Sequence, residues 1–560
     1  LNTIGVCGPI VFNVRQGTYN EQVSIGGVAG SSSTNSITFQ SDPANTAIPL
    51  IQGSGTTLVN NYVLAFQGGA QYITFDSLHF KTTSTSTYST VVNYQGGTNN
   101  ITINDCMLEG NATATTSTYQ TVLYQNGGLS HYNTITNNTL EGGSYGLYMR
   151  GTGTTSKGTG NNISNNSILN ANYYQCYLYY QDSLNFNGNT IIQRPTSTSF
   201  CYGIYTYYCD DCNVTKNSVT LNTTSSNYGI MIGRWAGTQN ELSNNMFVSS
   251  ANATGTAYGI YDNYSLNVNI YHNSVNIRGG NPTSTRALYV TGSTSALYGN
   301  VDIRNNIFVN SLTNGYAIYV TSGASTTYLS NFSNNIYNAP GTNTLFFGSV
   351  YANFTAYQAG VARDTNSYFG IPGFLSQTDL HLQGALAADS GANLGIMTDI
   401  DGDVRPLLPS TGYDIGADEY IPPTCPMGYA LTGFGTTDSS INVTWTTGPS
   451  DVSWIFEYGA PGFTAGTGTS LWSANDTATI AGLLPVTDYC VYVRGICSAG
   501  DTSAYFGPFC FKSRCVSALS GVYTINSALP TAGINYASFG AVMNALNNCG
   551  VSGPTTFNVK

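Results

Sequence analysis

Between residues 135 and 337 one short motif returns eight times. It reads Ile135-Thr-Asn-Asn138-Thr-Leu140, Ile163-Ser-Asn-Asn166-Ser-Ile168, Phe186-Asn-Gly-Asn189-Thr-Ile191 and Val214-Thr-Lys-Asn217-Ser-Val219. It continues as Leu242-Ser-Asn-Asn245-Met-Phe247, Ile270-Tyr-His-Asn273-Ser-Val275, Ile303-Arg-Asn-Asn306-Ile-Phe308 and Phe332-Ser-Asn-Asn335-Ile-Tyr337. The second asparagine recurs at intervals of 28, 23, 28, 28, 28, 33 and 29 residues. A period in that range marks stacked copies of one supersecondary unit, a solenoid. A second apolar run lies between the motifs, as in Tyr145-Gly-Leu147-Tyr148, Cys176-Tyr-Leu178-Tyr179, Tyr202-Gly-Ile204-Tyr205 and Tyr258-Gly-Ile260-Tyr261. Both runs alternate with period two and are separated by Gly, Ser, Thr and Asn, and helical spacing is absent. The expected fold is therefore all-β, a right-handed parallel β-helix whose coils stack about 4.8 Å apart.

In such a stack equivalent positions lie above one another. Asn138, Asn166, Asn189, Asn217, Asn245, Asn273, Asn306 and Asn335 should form a ladder, because an amide side chain can donate to one neighbour and accept from the other. Leu78 and Cys106 fill the same slot in two earlier coils, so the ladder should begin after them. Tyr148, Tyr179, Tyr205, Tyr261, Tyr289 and Tyr319 each follow an inward Leu or Ile by one residue, which points them outward. They predict an aromatic stripe that either stabilises the coils by stacking or offers a face for glycans or lateral packing.

Charged residues make up only 8% of the chain, and its net charge is −11 with 16 Lys and Arg, so no basic surface is available for nucleic acid. No apolar stretch is long enough to span a membrane. Of twelve cysteines, five (Cys425, Cys490, Cys497, Cys510 and Cys515) crowd into one segment, which points to disulfides and an oxidising compartment. With an odd number there, one must stay free or pair elsewhere. Cys209-Asp-Asp-Cys212 lacks the second ligand pair of a zinc site and reads as a structural or free pair. Residue 1 is neither an initiating Met nor part of a signal peptide, so the chain reads as a piece of something longer. Asn-x-Ser/Thr sites make glycan decoration conceivable.

The coils are expected over residues 1–371. Residues 372–421 differ in kind and are assigned as the C-terminal cap that a solenoid end requires. Asp399, Asp401 and Asp403 there suggest calcium, although their spacing is not that of an EF-hand and an ion pair with Arg405 is the competing account. No other cofactor is expected. After a proline-rich linker at Pro422 to Pro426, residues 422–515 offer about seven short strands, Trp445, and Leu484-Pro-Val-Thr-Asp-Tyr489, whose tyrosine suits a tyrosine corner. This part resembles a fibronectin type III domain, which implies a β-sandwich. In residues 516–560, Ser538 followed by apolar residues at helical spacing predicts a capping helix. Beyond it, Leu546 to Lys560 aligns without gaps on Leu1 to Arg15, nine of fifteen residues being identical at an offset of 545. The tail therefore reads as the cap helix and first strand of a next repeat.

Catalysis has one candidate. Lys81, Glu109 and Glu141 each follow their coil's ladder slot by three residues and should stack on adjacent coils. They form either a surface ion ladder or the acid–base pair of a polysaccharide lyase or glycoside hydrolase. Asp210 and Asp211 lack the companion motifs of polygalacturonases. The Gly17-Thr-Tyr-Asn-Glu-Gln22 run, the Asp399-Ile-Asp-Gly-Asp-Val-Arg405 and Asp414-Ile-Gly-Ala-Asp-Glu-Tyr420 segments, and the appended fibronectin-like part resemble the giant repetitive surface proteins of Bacteroidota. That resemblance implies export by the type IX system and service as an adhesin or fibre. The expectation is a non-catalytic structural repeat unit of an extracellular filament or cell-surface adhesin. It would meet neighbouring copies end to end through residues 516–560 and 1–40. The alternatives are a secreted polysaccharide lyase or hydrolase with an accessory domain, and a glycan-binding module.

Overall fold

The computed structural model describes residues 5–112, 115–126, 128–195, 197–321, 323, 328–384, 386–408, 411–420 and 423–560. The first four residues of the repeat alignment, Ile421 and the linker residue Pro422 lie outside them. The chain divides into two compact units, Leu1–Ile421 and Pro422–Lys560.

The first unit is a parallel β-solenoid in which each coil contributes a short strand to each of three sheets. The first sheet runs through twelve strands from Ile10–Val14 to Leu329–Ser333, and the second through thirteen from Thr18–Asn20 to Tyr368–Phe369. The third also has thirteen, beginning at Val23–Ile25 and closed by Ser349–Tyr351, which pairs antiparallel with Leu345–Phe347. Alternation puts one residue in two on the inside, and register keeps like on like. Ile135, Ile163, Phe186 and Val214 form one inward column, and Leu140, Ile168, Ile191 and Val219 another. All eight are buried, so apolar columns run through the interior on either side of the corner between these sheets.

The corner between the first and second sheets explains the paired asparagines. The residue before each ladder asparagine is left-handed: Asn137, Asn165, Asn244, Asn305 and Asn334 have φ between 52° and 58°. Asparagine tolerates that region better than other residues with a side chain, and Gly188 takes the place in one coil. The first asparagine of each pair thus turns the chain, and the second faces inward and binds.

From Asn166 onward, each ladder Oδ1 accepts two hydrogen bonds from the coil before. Asn166 Oδ1 accepts those of the backbone N–H and the Nδ2 of Asn138, at 2.9 and 3.0 Å. The same two contacts repeat from Asn166 to Asn189, Asn217, Asn245, Asn273, Asn306 and Asn335. From Asn138 through Asn335, each Nδ2 also donates back to a carbonyl of the preceding coil, as Asn217 does to Phe186 and Asn335 to Ile303. The backbone N–H of Cys106 donates into the first rung at Asn138, and that of Asn335 leaves the last one to Ser367 Oγ at 2.8 Å.

The far end is closed by the helix Phe354–Gly360, N-capped by Asn353, with Tyr357 and Val361 packed into the core. The segment expected as the cap, residues 372–421, lies elsewhere. Leu382, Ala387 and Ile415 pack on Ile307, Val309 and Ile336, while Leu380 and Ala417 pack on Met246 and Val248. These solenoid residues alternate with the inward Phe247, Phe308 and Tyr337 and so belong to the outer face of the second sheet. The segment is a flank cover, needed because that face is apolar over these coils.

In the second unit, a three-stranded sheet built on Ser440–Thr446 faces a five-stranded sheet built on Ser453–Gly459 and Asp488–Ser498. Ile441, Val443, Trp445 and Ile480 of one sheet share a core with Trp454, Phe456, Val491 and Val493 of the other, which makes an antiparallel sandwich. Tyr489 Oη accepts the backbone N–H of Leu484 at 3.0 Å. Disulfides join Cys425 to Cys497 and Cys490 to Cys510, and the fifth cysteine, Cys515, reaches outside the segment to Cys549. Beyond the sandwich, Leu519–Ile525 pairs in parallel with both Asn535–Tyr536 and Val551–Val559, beside the helix Phe539–Cys549 that Ser538 caps.

Two predictions follow from the first unit. Asn217→Ala removes four buried hydrogen-bond partners at mid-ladder and should cost roughly 2–5 kcal/mol in urea unfolding followed by far-ultraviolet circular dichroism; a loss below about 0.5 kcal/mol would deny the ladder its role. The second concerns Asp262, whose Oδ2 accepts from Tyr328 Oη at 2.6 Å, and Asp364, which accepts from Tyr337 and Tyr357 at 2.7 Å each. Burial pushes both carboxyls up to about 6. A carboxyl raised in the folded state holds its proton more tightly there than in the unfolded chain, so this contribution to stability is full below the ordinary carboxylate range. It is lost as pH rises through about 6. The unfolding free energy from urea titrations should fall between pH 4.5 and pH 7 by on the order of 2 kcal/mol per group, and Asp262→Asn with Asp364→Asn should flatten that fall.

Candidate functional site

Lys81, Glu109 and Glu141 stand in register on three adjacent strands of the second sheet. Lys81 Nζ is 2.6 Å from Glu109 Oε1, and His79 Nε2 is 3.1 Å from Glu109 Oε2. His79, which spacing alone did not single out, shares Lys81's strand and lies two residues before it. Burial lowers its pKa, with the Glu109 charge opposing. Glu141 Oε1 accepts Asn170 Nδ2 at 3.2 Å, and both glutamates border a shallow groove that Arg194 closes. Both Glu109 oxygens are therefore engaged, one by the Lys81 ammonium and one by the His79 ring, and this arrangement is a polar cluster along the coil edge.

The tyrosines stack in columns on the third sheet, with one change of register. Tyr177, not Tyr179, pairs with both Tyr148 and Tyr205, because Cys176 rather than Leu178 occupies the inward slot of Leu147 and Ile204. The column runs Tyr124, Tyr148, Tyr177, Tyr205, Met231, Tyr261, Tyr289, Tyr319 and Phe346. Tyr179 belongs to the next column, between Arg150 and Tyr207. A third column holds Tyr145, Tyr174, Tyr202, Tyr228 and Tyr258. Ring centroids are 4.6 Å apart for Tyr148 and Tyr177, 5.1 Å for Tyr177 and Tyr205, and 4.7 Å for Tyr174 and Tyr202, with the ring planes near parallel. Ring faces meet over these coils, whereas Tyr228 with Tyr258 and Tyr289 with Tyr319 meet edge to face. A sugar that binds by stacking needs a free ring face. Arg286 sits over Tyr289 and Tyr319, 4.4 and 4.1 Å from their centroids.

The flank cover holds the densest carboxylates. Asp399 Oδ1 accepts the backbone N–H groups of Asp401, Gly402 and Asp403 at 2.8–3.0 Å, and its Oδ2 accepts that of Glu419 at 3.1 Å. Its lone pairs are thereby taken by the turn it builds, which removes it as an ion ligand beside Asp403. Arg405, fully buried, pairs with Glu419 and donates to Asn244 Oδ1 at 3.0 Å and to the Gly416 carbonyl at 2.9 Å. Burial lowers the Arg405 pKa against the pull of Glu419. Burial also pushes Asp414 up to about 7 and Asp418 up to about 6. Between this cover and the second sheet lies a groove of about 440 Å³ lined by Asn187, Lys216, Met246, His381, Asp401 and Gly402, among others.

With this geometry, the molecule is a parallel β-solenoid protein carrying a disulfide-bonded antiparallel sandwich. Residues 80–278 match the model of a family described as periplasmic copper-binding protein (NosD). That stretch is less than half of the chain and lies within the coils. A comparison with curated proteins returns no match. Among solved structures, one described as "Myokine structure" is 17% identical over 16% of this chain and 98% of its own, with a TM-score of 0.15. Another, "Crystal structure of chicken CNTN1 FN1-FN3 domains", is 14% identical over 19% of this chain and 38% of its own, with a TM-score of 0.15.

The family match corrects the expectation of no cofactor, or of calcium at Asp399, Asp401 and Asp403, since copper is the metal in that family's description. The residues matched do not supply a copper donor set. Among the described residues, no three His, Cys, Asp or Glu groups between 80 and 278 bring ligand atoms within 4.8 Å of one another. Cys106, Cys176, Cys201, Cys209 and Cys212 are buried free thiols, and burial raises the pKa of Cys106, Cys176, Cys201 and Cys212. His272 is buried, and its Nε2 faces Asn305 Nδ2 at 3.0 Å. Among the described residues no helix is long and apolar enough to cross a membrane.

Removing the buried Arg405 strands Glu419 without its partner. Arg405→Ala should destabilise the flank cover by about 3–5 kcal/mol. Limited proteolysis should then cut within residues 372–420 while the coils stay intact. Cleavage no faster than in the parent protein would mean that the ion pair does not hold the cover.

Proposed function

We propose that the chain is a non-catalytic structural repeat unit of an extracellular filament or long cell-surface adhesin. In this reading a solenoid is followed by a fibronectin type III-like sandwich and then by the start of the next solenoid. The pairing of Val551–Val559 with Leu519–Ile525 carries it. Val551–Val559 repeats residues 6–14, and Phe557 corresponds to Phe12. Tyr523 stands opposite Phe557 with ring centroids 5.5 Å apart. In the first unit Phe12 is the outermost ring of the stack Phe12, Phe39, Phe75, spaced 4.9 and 5.1 Å. Phe12 is 38% exposed and Val11 55%. Leu519–Ile525 thus gives the repeated first strand a backbone partner and an aromatic cover, both of which the edge of Ile10–Val14 lacks among the described residues. An uncovered strand edge is an association hazard that such a segment of a preceding copy would remove.

The three disulfides and the periplasmic description of the matched family support a compartment outside the cytoplasm. The saturation of Glu109 by Lys81 and His79 supports a non-catalytic role. Occupation of the tyrosine ring faces by neighbouring rings supports coil stabilisation over glycan stacking.

The test is a tandem protein in which residues 1–545 are followed directly by a full second copy. Amide hydrogen exchange at residues 10–14 should be at least about 100-fold slower in the second copy than in the first, because only the second is preceded by Leu519–Ile525. Equal rates in the two copies would defeat the repeat-unit reading. Turnover of pectin or alginate that Glu109→Gln abolishes would replace it with a polysaccharide lyase.

A further inference from the structure

We propose that His381, Asp401 and Asp418 form a binding site for one divalent transition ion, Cu²⁺ or Zn²⁺, at the mouth of the groove between the flank cover and the coils. One ligand atom from each residue lies within 4.8 Å of the others. His381 Nε2 and Asp401 Oδ2 are 3.0 Å apart. That is the distance of an ion pair, and it is also the separation of two donors bound at about 2.1 Å and at right angles to a tetragonal Cu²⁺, so an ion could replace the shared proton with little movement of either side chain.

The supporting groups are in place. Asp379 Oδ1 accepts the His381 Nδ1 proton and also the His381 backbone N–H at 3.2 Å. This contact fixes the ring and leaves Nε2 to face Asp401, the arrangement in which a carboxylate behind a histidine orients it as a ligand. Asp379 is itself held by a backbone N–H bond to Ser376 Oγ at 2.9 Å. The Asp399 turn, whose Oδ1 collects three backbone N–H groups, presents Asp401 from the opposite side. Asp418 is only 7% exposed. Its Oδ2 accepts the Leu382 backbone N–H at 2.7 Å, and among the described residues no hydrogen bond is made to its other oxygen. Asp418 thus keeps one carboxylate oxygen free to join His381 and Asp401 around a cation.

The donor set decides which cation. One imidazole nitrogen with carboxylate oxygens suits Cu²⁺ and Zn²⁺, whereas calcium takes oxygen alone. The groove leaves room for water or a small anionic ligand to complete the coordination, and Lys216 on its wall would favour the anion. The other cluster of this kind, Cys425, Asp451 and Cys497, offers no site because its two sulfurs are joined to each other.

The experiment is isothermal titration of the tag-free, chelator-treated full chain with Cu²⁺, Zn²⁺ and Ca²⁺ separately. One equivalent of Cu²⁺ or Zn²⁺ should bind, and the electron paramagnetic spectrum of the Cu²⁺ form should show coupling to a single imidazole nitrogen. His381→Gln should abolish that coupling, and Asp379→Asn, which leaves all three ligands in place, should weaken binding about 10- to 100-fold. His131→Gln should change nothing. Circular dichroism and thermal melts of each variant separate loss of ligand from loss of fold. The site is refuted if no saturable Cu²⁺ or Zn²⁺ binding occurs, if binding survives His381→Gln unchanged, or if Ca²⁺ binds as tightly.

Discussion

The amide ladder from Asn138 to Asn335 is the contact on which the solenoid depends, because it ties the corner of each coil to the corner of the next. Parallel strands three residues long, such as Thr134–Thr136 and Asn162–Ser164, have few backbone hydrogen bonds each, so a coil gains little from any one sheet. The ladder adds two bonds per coil at the turn between two sheets, where regular pairing stops. It also fixes register: a slip by one residue would bring a left-handed corner residue, Asn165 or Lys216, to the inward slot. Apolar columns either side of it then follow, with Ile over Ile and Val over Leu.

This dependence explains which parts of the structure could be read in the residues. The asparagines carry both period and chemistry in a single letter, and their positions alone place the coils, the corners and the ladder. The odd cysteine count of the sandwich segment left either a free thiol or a partner beyond it, and the structure pairs Cys515 with Cys549. The tyrosine register failed at one coil because Cys176 and Leu178 are both apolar and two apart, and alternation cannot say which of them lies opposite Leu147. The flank cover was misplaced for a different reason. Residues 372–420 contain turns and isolated bridges without a period, so their position is set by what they pack on, namely Met246, Ile307 and Ile336. The outward Met246, Ile307 and Ile336 stand in ladder motifs where the other five have Ser or Thr, and that substitution was the legible signal that something covers them.

The same segment accounts for the distribution of charge. Coils satisfy their backbone through neighbours and need few ionic groups, whereas an irregular cover must satisfy its own polar atoms side chain by side chain. Hence Asp399 gathers three successive N–H groups, Asp414 those of Asp389 and Tyr420, and Glu419 that of Asp414 along with the Arg405 guanidinium. Carboxylates that looked like an ion site by composition are the internal scaffolding of the cover. What distinguishes His381, Asp401 and Asp418 from them is that their facing atoms are not all spent on the backbone.

The tyrosine face follows from stacking as directly as the ladder does. When coils repeat at strand spacing, a tyrosine in every coil has its neighbours close enough for ring contact, and parallel stacking is the geometry that a fixed translation allows. Burial between neighbouring rings raises the hydroxyl pKa of Tyr174 and Tyr205 above the ordinary phenol range, so these groups remain neutral donors. Met231 interrupts the column, and Arg286 lies over the rings of Tyr289 and Tyr319, so the face also carries a thioether and a cation among its phenols.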